Sequence, residues 1–247
     1  MKSTRINNLF LKYLKKRYGY INVRQYMPSN ELNFQYYVGT DVERGKTVFI
    51  KMYGNLAEVA RREALLLQLL ERRTRSKYFP KLLAYNVKGK YPFVVLEYVQ
   101  GATSLDTCLS ERKIQSQHHK RQLLRQMNDI LQILHTNKII HRDIRPANLL
   151  VRRGKDGKQM ELVLIDFAFS VLKHPSHVQE LAFLKSRRDI LEALGEKSYK
   201  PSAFKWDDAY SFCKIAREID SQSQKKFPYE WRQLNSSIGK VVYASKS

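Results

Sequence analysis

Apolar and polar positions change rhythm along the chain. Residues 5–17 repeat at helical spacing, with Ile6, Leu9, Phe10, Tyr13 and Leu14 set among Lys15, Lys16 and Arg17. A basic amphipathic helix is expected there, packed on the body of the protein rather than laid on an anionic membrane. From Tyr20 to Tyr53 the texture is that of strands. INVRQY, FQYYVGT and KTVFIKMY are rich in Val, Ile, Phe and Tyr, and turn-like residues at 27–31 and 43–45 separate them. They read as a three-strand antiparallel meander. A helix over 56–71 follows, then FPKLLAY and PFVVLEYV as two more strands, which closes a set of five strands and one helix near Tyr98.

The second half reads as mainly helical. Leu123, Leu124, Met127, Ile130, Leu131 and Leu134 form an apolar stripe on a helix running up to His135. LLV and LVLID then flank a polar hairpin at 152–160, and helical segments around 177–195 and 207–219 close the chain. No internal repeat or low-complexity linker interrupts this order. The expected fold class is α+β, in three parts: an N-terminal helix (1–19), a β-rich lobe (20–98) and a larger, mainly helical lobe (99–247).

Composition narrows the function classes. In 247 residues, 43% apolar and 11% aromatic content rules out a disordered chain. No apolar run approaches the ~20 residues that span a membrane, and the start lacks a signal-peptide core, so a soluble cytoplasmic protein is expected. Cys108 and Cys213, far apart and without CxxC spacing, exclude a disulfide framework or a zinc knuckle. A formal charge of +22 favours a polyanionic partner, including an anionic membrane surface touched from the cytoplasmic side. No recognition-helix, zinc-finger or aromatic-basic signature accompanies the charge, so nucleic acid is not the expected partner.

The chemistry-bearing residues concentrate in IIHRDIRPANLLV (139–151) and LVLIDFAFS (162–170). Asp143, Arg145 two positions on and Asn148 five positions on lie in a loop between a helix and a hairpin. Such a set can orient a hydroxyl, balance phosphate charge and hold a metal. Asp166, at the end of the next strand, can bind the same ion, and Mg²⁺ prefers oxygen ligands alongside substrate phosphates. Upstream, Lys51 stands in VFIKMY with apolar residues on both sides. Of the two acids on the following helix, Glu63 shares a stripe with Val59, Leu66, Leu67 and Leu70, whereas Glu58 points away from it. A carboxylate on an apolar face needs a partner, so Glu63 is expected to pair with Lys51.

The pattern His-Arg-Asp-x-x-Pro-x-Asn, followed by Asp-Phe-Ala, resembles the catalytic loop and metal-binding motif of the protein-kinase superfamily, and the resemblance covers about residues 20–220. It implies a bilobal fold with a five-stranded antiparallel N-lobe carrying one helix and a reduced, mainly helical C-lobe. It also implies ATP and Mg²⁺ as cofactors. By the same match Asp143 is the catalytic base, Asn148 and Asp166 are the Mg²⁺ ligands, and Arg145 contacts the transferred phosphate. Lys51, braced by Glu63, anchors ATP, and backbone groups of Glu97-Tyr98-Val99 receive the adenine edge. Asp208 matches an aspartate that braces the catalytic loop through its backbone amides.

Three departures accompany the match. No glycine stands between the first two strands, where the family has a glycine-rich loop. Ala168 replaces the glycine after Asp166-Phe167. From Asp166 to Asp208 there are only 42 positions and no Ala-Pro-Glu. Ser170, Ser176 and Ser186 in this stretch are candidates for phosphorylation, with Arg142 as the partner of the added charge. The short helical lobe, the basic charge and the Trp-Asp-Asp-Ala-Tyr-Ser segment look more like small bacterial kinases of the lipopolysaccharide-core type. That likeness implies a sugar hydroxyl of an envelope glycolipid as acceptor. A basic surface suits such an acceptor, each well-placed Lys or Arg adding up to ~1 kcal/mol at an anionic membrane. The alternative acceptor is a protein Ser/Thr hydroxyl, and an outside reading is a catalytically dead kinase-like scaffold.

Overall fold

A computed structural model describes residues 2–28, 34–154, 159–173 and 180–245, with side chains from residue 8 on. The chain folds as two units, Met1–Gln68 with Pro80–Tyr98 and Leu69–Phe79 with Val99–Ser247. The first contains α1 (Lys2–Tyr18), β1 (Tyr20–Met27), β2 (Gln35–Asp41), β3 (Lys46–Met52), most of α2 (Ala57–Thr74), β4 (Leu82–Asn86) and β5 (Phe93–Glu97). Its strands form one antiparallel sheet in the order β1-β2-β3-β5-β4, the five strands and one inserted helix expected. The turn at 27–31 falls partly outside the described residues.

Side chains alternate along a strand, so β3 sends Val48, Ile50 and Met52 to one face of the sheet and Lys51 to the other. The first face is closed by α1. Phe10 and Leu14 are buried with Tyr20, Tyr37, Phe93 and Val95, and the Phe10 ring lies 5.5 Å from Tyr37 and 5.7 Å from Phe93. Leu9, counted in the apolar stripe from spacing, is instead 46% exposed, one position off the buried row. The apolar side of the helix is therefore used by the sheet, and Lys12, Lys15 and Lys16 face outward. Phe10→Ala is expected to lower stability by about 3–5 kcal/mol in urea denaturation. A loss under about 1 kcal/mol would mean that α1 is not part of this core.

The second unit opens with β6 (Thr103–Ser104) and α3 (Leu105–Ser110), followed by α4 (Gln117–Thr136). The whole stripe from Leu123 to Leu134 on α4 is buried, as its spacing requires. Next come β7 (Ile139–Ile140), a 3-10 turn (Pro146–Asn148), the hairpin β8 (Leu149–Arg153) and β9 (Met160–Leu164), and β10 (Val171–Leu172), which pairs with β7. The helical stretch expected around 177–195 holds two short helices, α5 (Ala182–Ser186) and α6 (Arg188–Ala193), separated where Arg187 leaves helical geometry at φ −118°, ψ 64°. Residues 177–179 lie outside the described set. The chain ends with β11 (Lys205–Asp207), α7 (Asp208–Ile219), α8 (Ser223–Lys226), α9 (Pro228–Asn235) and β12 (Val242–Ala244).

Candidate active site

The site of the second unit is built on a turn that the chain makes between β7 and β8. His141 and Arg142 give their backbone N–H groups to Asp208 Oδ2 (2.7 Å) and Oδ1 (3.2 Å). Asp208 is buried at the start of α7, and desolvation pushes its carboxyl up to about 7 against the pull of those two amides. It fixes the backbone into which Asp143 is set. His141 adds a second brace. Its Nε2–H donates to Ile165 O at 3.0 Å, which leaves Nδ1 to accept the Asp143 N–H at 3.3 Å. One imidazole thereby ties the loop carrying Asp143 to the strand end leading to Asp166.

Asp143 has both carboxylate oxygens engaged. Oδ2 accepts from Asn148 Nδ2 at 2.7 Å, and Oδ1 accepts from the Gly195 N–H at 3.0 Å. Asn148 Nδ2 also donates to Asp143 O at 2.9 Å. Arg145 Nε lies 3.4 Å from Asp143 Oδ1, and Arg145 Nη1 donates to Glu196 Oε1 at 2.5 Å. Burial raises the Asp143 carboxyl to about 6. Arg145 opposes the rise, Asp166 adds to it by its negative charge, and the bonds from Asn148 and Gly195 oppose it.

The loop 194–196 delivers the Gly195 amide. Leu194 O accepts from Trp206 Nε1 at 2.9 Å and from Lys200 Nζ at 3.0 Å, which holds the turn in place. Position 195 requires glycine on two grounds. Its φ is +80°, and a Cβ there would stand 2.5 Å from Arg142 O, a backbone atom that cannot move aside. This contact was not legible in the sequence, since it joins residues 52 apart through a left-handed turn.

Asp166 does not end a strand. The strand β9 stops at Leu164, Ile165 N–H donates to Asn148 O at 3.0 Å, and Asp166 takes φ +67°. That left-handed backbone is uncommon outside glycine and is tolerated best by Asp and Asn. The negative charge of Asp166 acts on the Asp143 carboxyl and helps to raise it. The donor chemistry fits Mg²⁺. Asn148 Nδ2 gives its hydrogen bonds to Asp143, so the amide oxygen remains as a hard ligand beside the Asp166 carboxylate. No cluster of three or more His, Cys, Asp and Glu occurs among the described residues.

In the first unit Lys51 Nζ lies 3.2 Å from Glu63 Oε2, with side chains 3% and 1% exposed. The Tyr53 hydroxyl donates to the same Glu63 oxygen. The Lys51 ammonium faces the Phe34 and Tyr53 rings at 5.3 and 5.1 Å from their centroids. Glu58 is exposed on α2. Tyr53 was not singled out by spacing, because it stands just past β3 where a strand pattern ends. Glu97 closes β5, its N–H donating to Lys81 O at 2.9 Å. The Val99 carbonyl accepts from the Ala102 N–H at 3.3 Å.

If Asp143 is the base, its rate must fall as it is protonated. The rate is expected to be level above about pH 6 and to drop about tenfold per unit below it. A fall placed near pH 4 would mean a solvated carboxyl and contradict the burial.

Comparison with known proteins adds three similarities. The model of the family described as "Protein kinase domain" matches residues 37–187. Serine/threonine-protein kinase PknA of a Nostoc species is 36% identical over 117 residues, covering 47% of this chain and 20% of that protein. Serine/threonine-protein kinase PAK 1 of Mus musculus is 28% identical over 178 residues, covering 69% of this chain and 30% of that protein. The chain thus spans less than a third of the length of each of these relatives.

Proposed function

This chain belongs to the protein kinase family, whose members use ATP and Mg²⁺, and we propose that it transfers the γ-phosphoryl group of ATP to a serine or threonine hydroxyl of a protein. The observation that carries the reading is the matched stretch itself. Residues 37–187 contain both the buried Lys51–Glu63 pair and the set Asp143, Arg145, Asn148 and Asp166. The relatives named as serine/threonine-protein kinases support a protein acceptor over the glycolipid sugar.

In this reading the chain positions groups and supplies charge. Asp143 orients the acceptor hydroxyl and takes its proton at a carboxylate oxygen. Asn148 and the Gly195 amide keep that carboxylate in one orientation. Arg145, held between Asp143 and Glu196, stands ready to meet charge developing on the transferred phosphoryl group. Asn148 Oδ1 and the Asp166 carboxylate would hold Mg²⁺, which when bound would supply positive charge to offset that of the nucleotide's phosphates. Lys51, fixed by Glu63 and the Tyr53 hydroxyl, binds the nucleotide's phosphates.

The test is to supply γ-labelled ATP and Mg²⁺ to the protein with an extract, and to separate the product into protein and glycolipid fractions. Label in phosphoserine or phosphothreonine, absent with Asp143→Asn, is the expected result. Label confined to glycolipid would overturn the proposed acceptor and favour an envelope sugar. Exposed Lys12, Lys15 and Lys16 on α1 extend the proposal to contact with an anionic surface. It is checked by salt-sensitive binding to vesicles with and without anionic lipid.

A further inference from the structure

Arg142, next in sequence to Asp143, carries a guanidinium with no exposure to solvent. A cation in that position is costly unless an anion meets it. Among the serines weighed as carriers of an added charge, Ser170 is fully buried and gives its hydroxyl to His141 O at 3.2 Å. The Ser186 hydroxyl caps Phe183 O in its own helical turn at 2.9 Å, and Ser176 lies outside the described residues. The anion already present is Glu180. Arg142 Nη1 and Nη2 donate to Glu180 Oε2 at 2.7 Å and Oε1 at 3.1 Å, a two-pronged pair.

Glu180 is itself held. Tyr243 Oη donates to its Oε2 at 3.0 Å, and the Leu181 N–H donates to its Oε1 at 3.2 Å. The rings of Trp206 and Tyr243 each lie 5.2 Å from the guanidinium and keep water from it. The remaining nitrogen of the fork, Arg142 Nε, donates to Phe169 O at 2.6 Å, three residues past Asp166. The Arg142 backbone stands at φ +70°, a strained value held by this side chain and by Asp208. One ion pair thus fixes the backbone on either side of the Asp143 and Asp166 carboxylates.

We propose that Glu180 is the chain's own counter-anion for Arg142 and a positioning residue for Asp143, so that the catalytic loop is set without a phosphate added to the segment after Asp166. The inference rests on the reading of this site as a phosphotransferase. It differs from what the serines alone implied, because the charge that organises the loop is part of the chain.

The experiment uses the full chain with γ-labelled ATP and a Ser/Thr peptide library. Glu180→Ala is expected to lower kcat on the order of 10²-fold with KM for ATP little changed, since a small displacement of the reacting groups costs that much. Acetate added to Glu180→Ala restores kcat in part, by returning a carboxylate to the vacated space, whereas acetate leaves Glu180→Gln slow because the space is filled. Tyr243→Phe, which keeps the ring and removes one bond to Glu180, guards against a misfolded alanine variant; a several-fold fall in kcat is expected. An unchanged kcat in Glu180→Ala, or no recovery with acetate, overturns the proposal. So does loss of wild-type activity on phosphatase treatment. A wild type that transfers no label refutes the phosphotransferase reading instead. Amide exchange at Arg142 and Asp143 then decides the positioning claim: faster in Glu180→Ala and slowed by acetate supports it, and unchanged exchange overturns it.

Discussion

Asp143→Asn is expected to remain folded and to lose phosphoryl transfer by about 10²–10⁴-fold, the span typical for removing a general base. The two side chains have the same shape, so the variant asks one chemical question. The amide cannot take the acceptor's proton. It also cannot satisfy its neighbours, because both Asp143 oxygens accept from donors, Asn148 Nδ2 and the Gly195 N–H. Whichever way the introduced amide turns, its NH₂ meets a donor, at a cost of about 1–3 kcal/mol. That cost is offset because a neutral group relieves the burial that raises the Asp143 carboxyl to about 6. The thermal midpoint should therefore shift by a few degrees while kcat collapses and nucleotide affinity is kept. Retention of more than a tenth of wild-type kcat would remove Asp143 from the role of base.

Lys51→Met is expected to cost both stability and activity. Glu63 would keep the Tyr53 hydroxyl but lose the cation that balances a carboxylate 1% exposed. Leaving one member of a buried ion pair typically costs about 3–5 kcal/mol. The double variant Lys51→Met/Glu63→Gln removes the stranded charge and is expected to regain most of that stability, because neither charge then has to be desolvated. It should regain no phosphoryl transfer, because the cation that meets the nucleotide's phosphates is gone. Urea denaturation measures the first effect and labelled transfer the second. A double variant as unstable as Lys51→Met would mean that packing against Phe34 and Tyr53, rather than charge, decides the fold there.

Both variants show where spacing carried the reading and where it stopped. The five strands, α2 and α4 follow from local pattern, since each has one apolar face and a clear period. The pairing of Lys51 with Glu63 was legible for the same reason: α2 places Glu63 among buried leucines, and β3 places Lys51 opposite Ile50 and Met52. The spacing of Asp143, Arg145 and Asn148 was legible because all three lie in one short loop. The supports for that loop were harder to see. Gly195, Glu180 and Tyr243 act through left-handed backbone or contacts between distant residues, and nothing in a local window marks them. The final helix α9 escaped notice because Pro228–Asn235 is short and buries mainly Trp231 and Leu234.

The measurement that tests the central claim most directly is the transfer of label from γ-labelled ATP to a Ser/Thr peptide library by the purified chain with Mg²⁺, run beside Asp143→Asn. The account predicts phosphoserine or phosphothreonine with the wild type and at most about a hundredth as much with the variant. Equal labelling by the two proteins, or no labelled hydroxyl with a wild type that binds ATP, would contradict it.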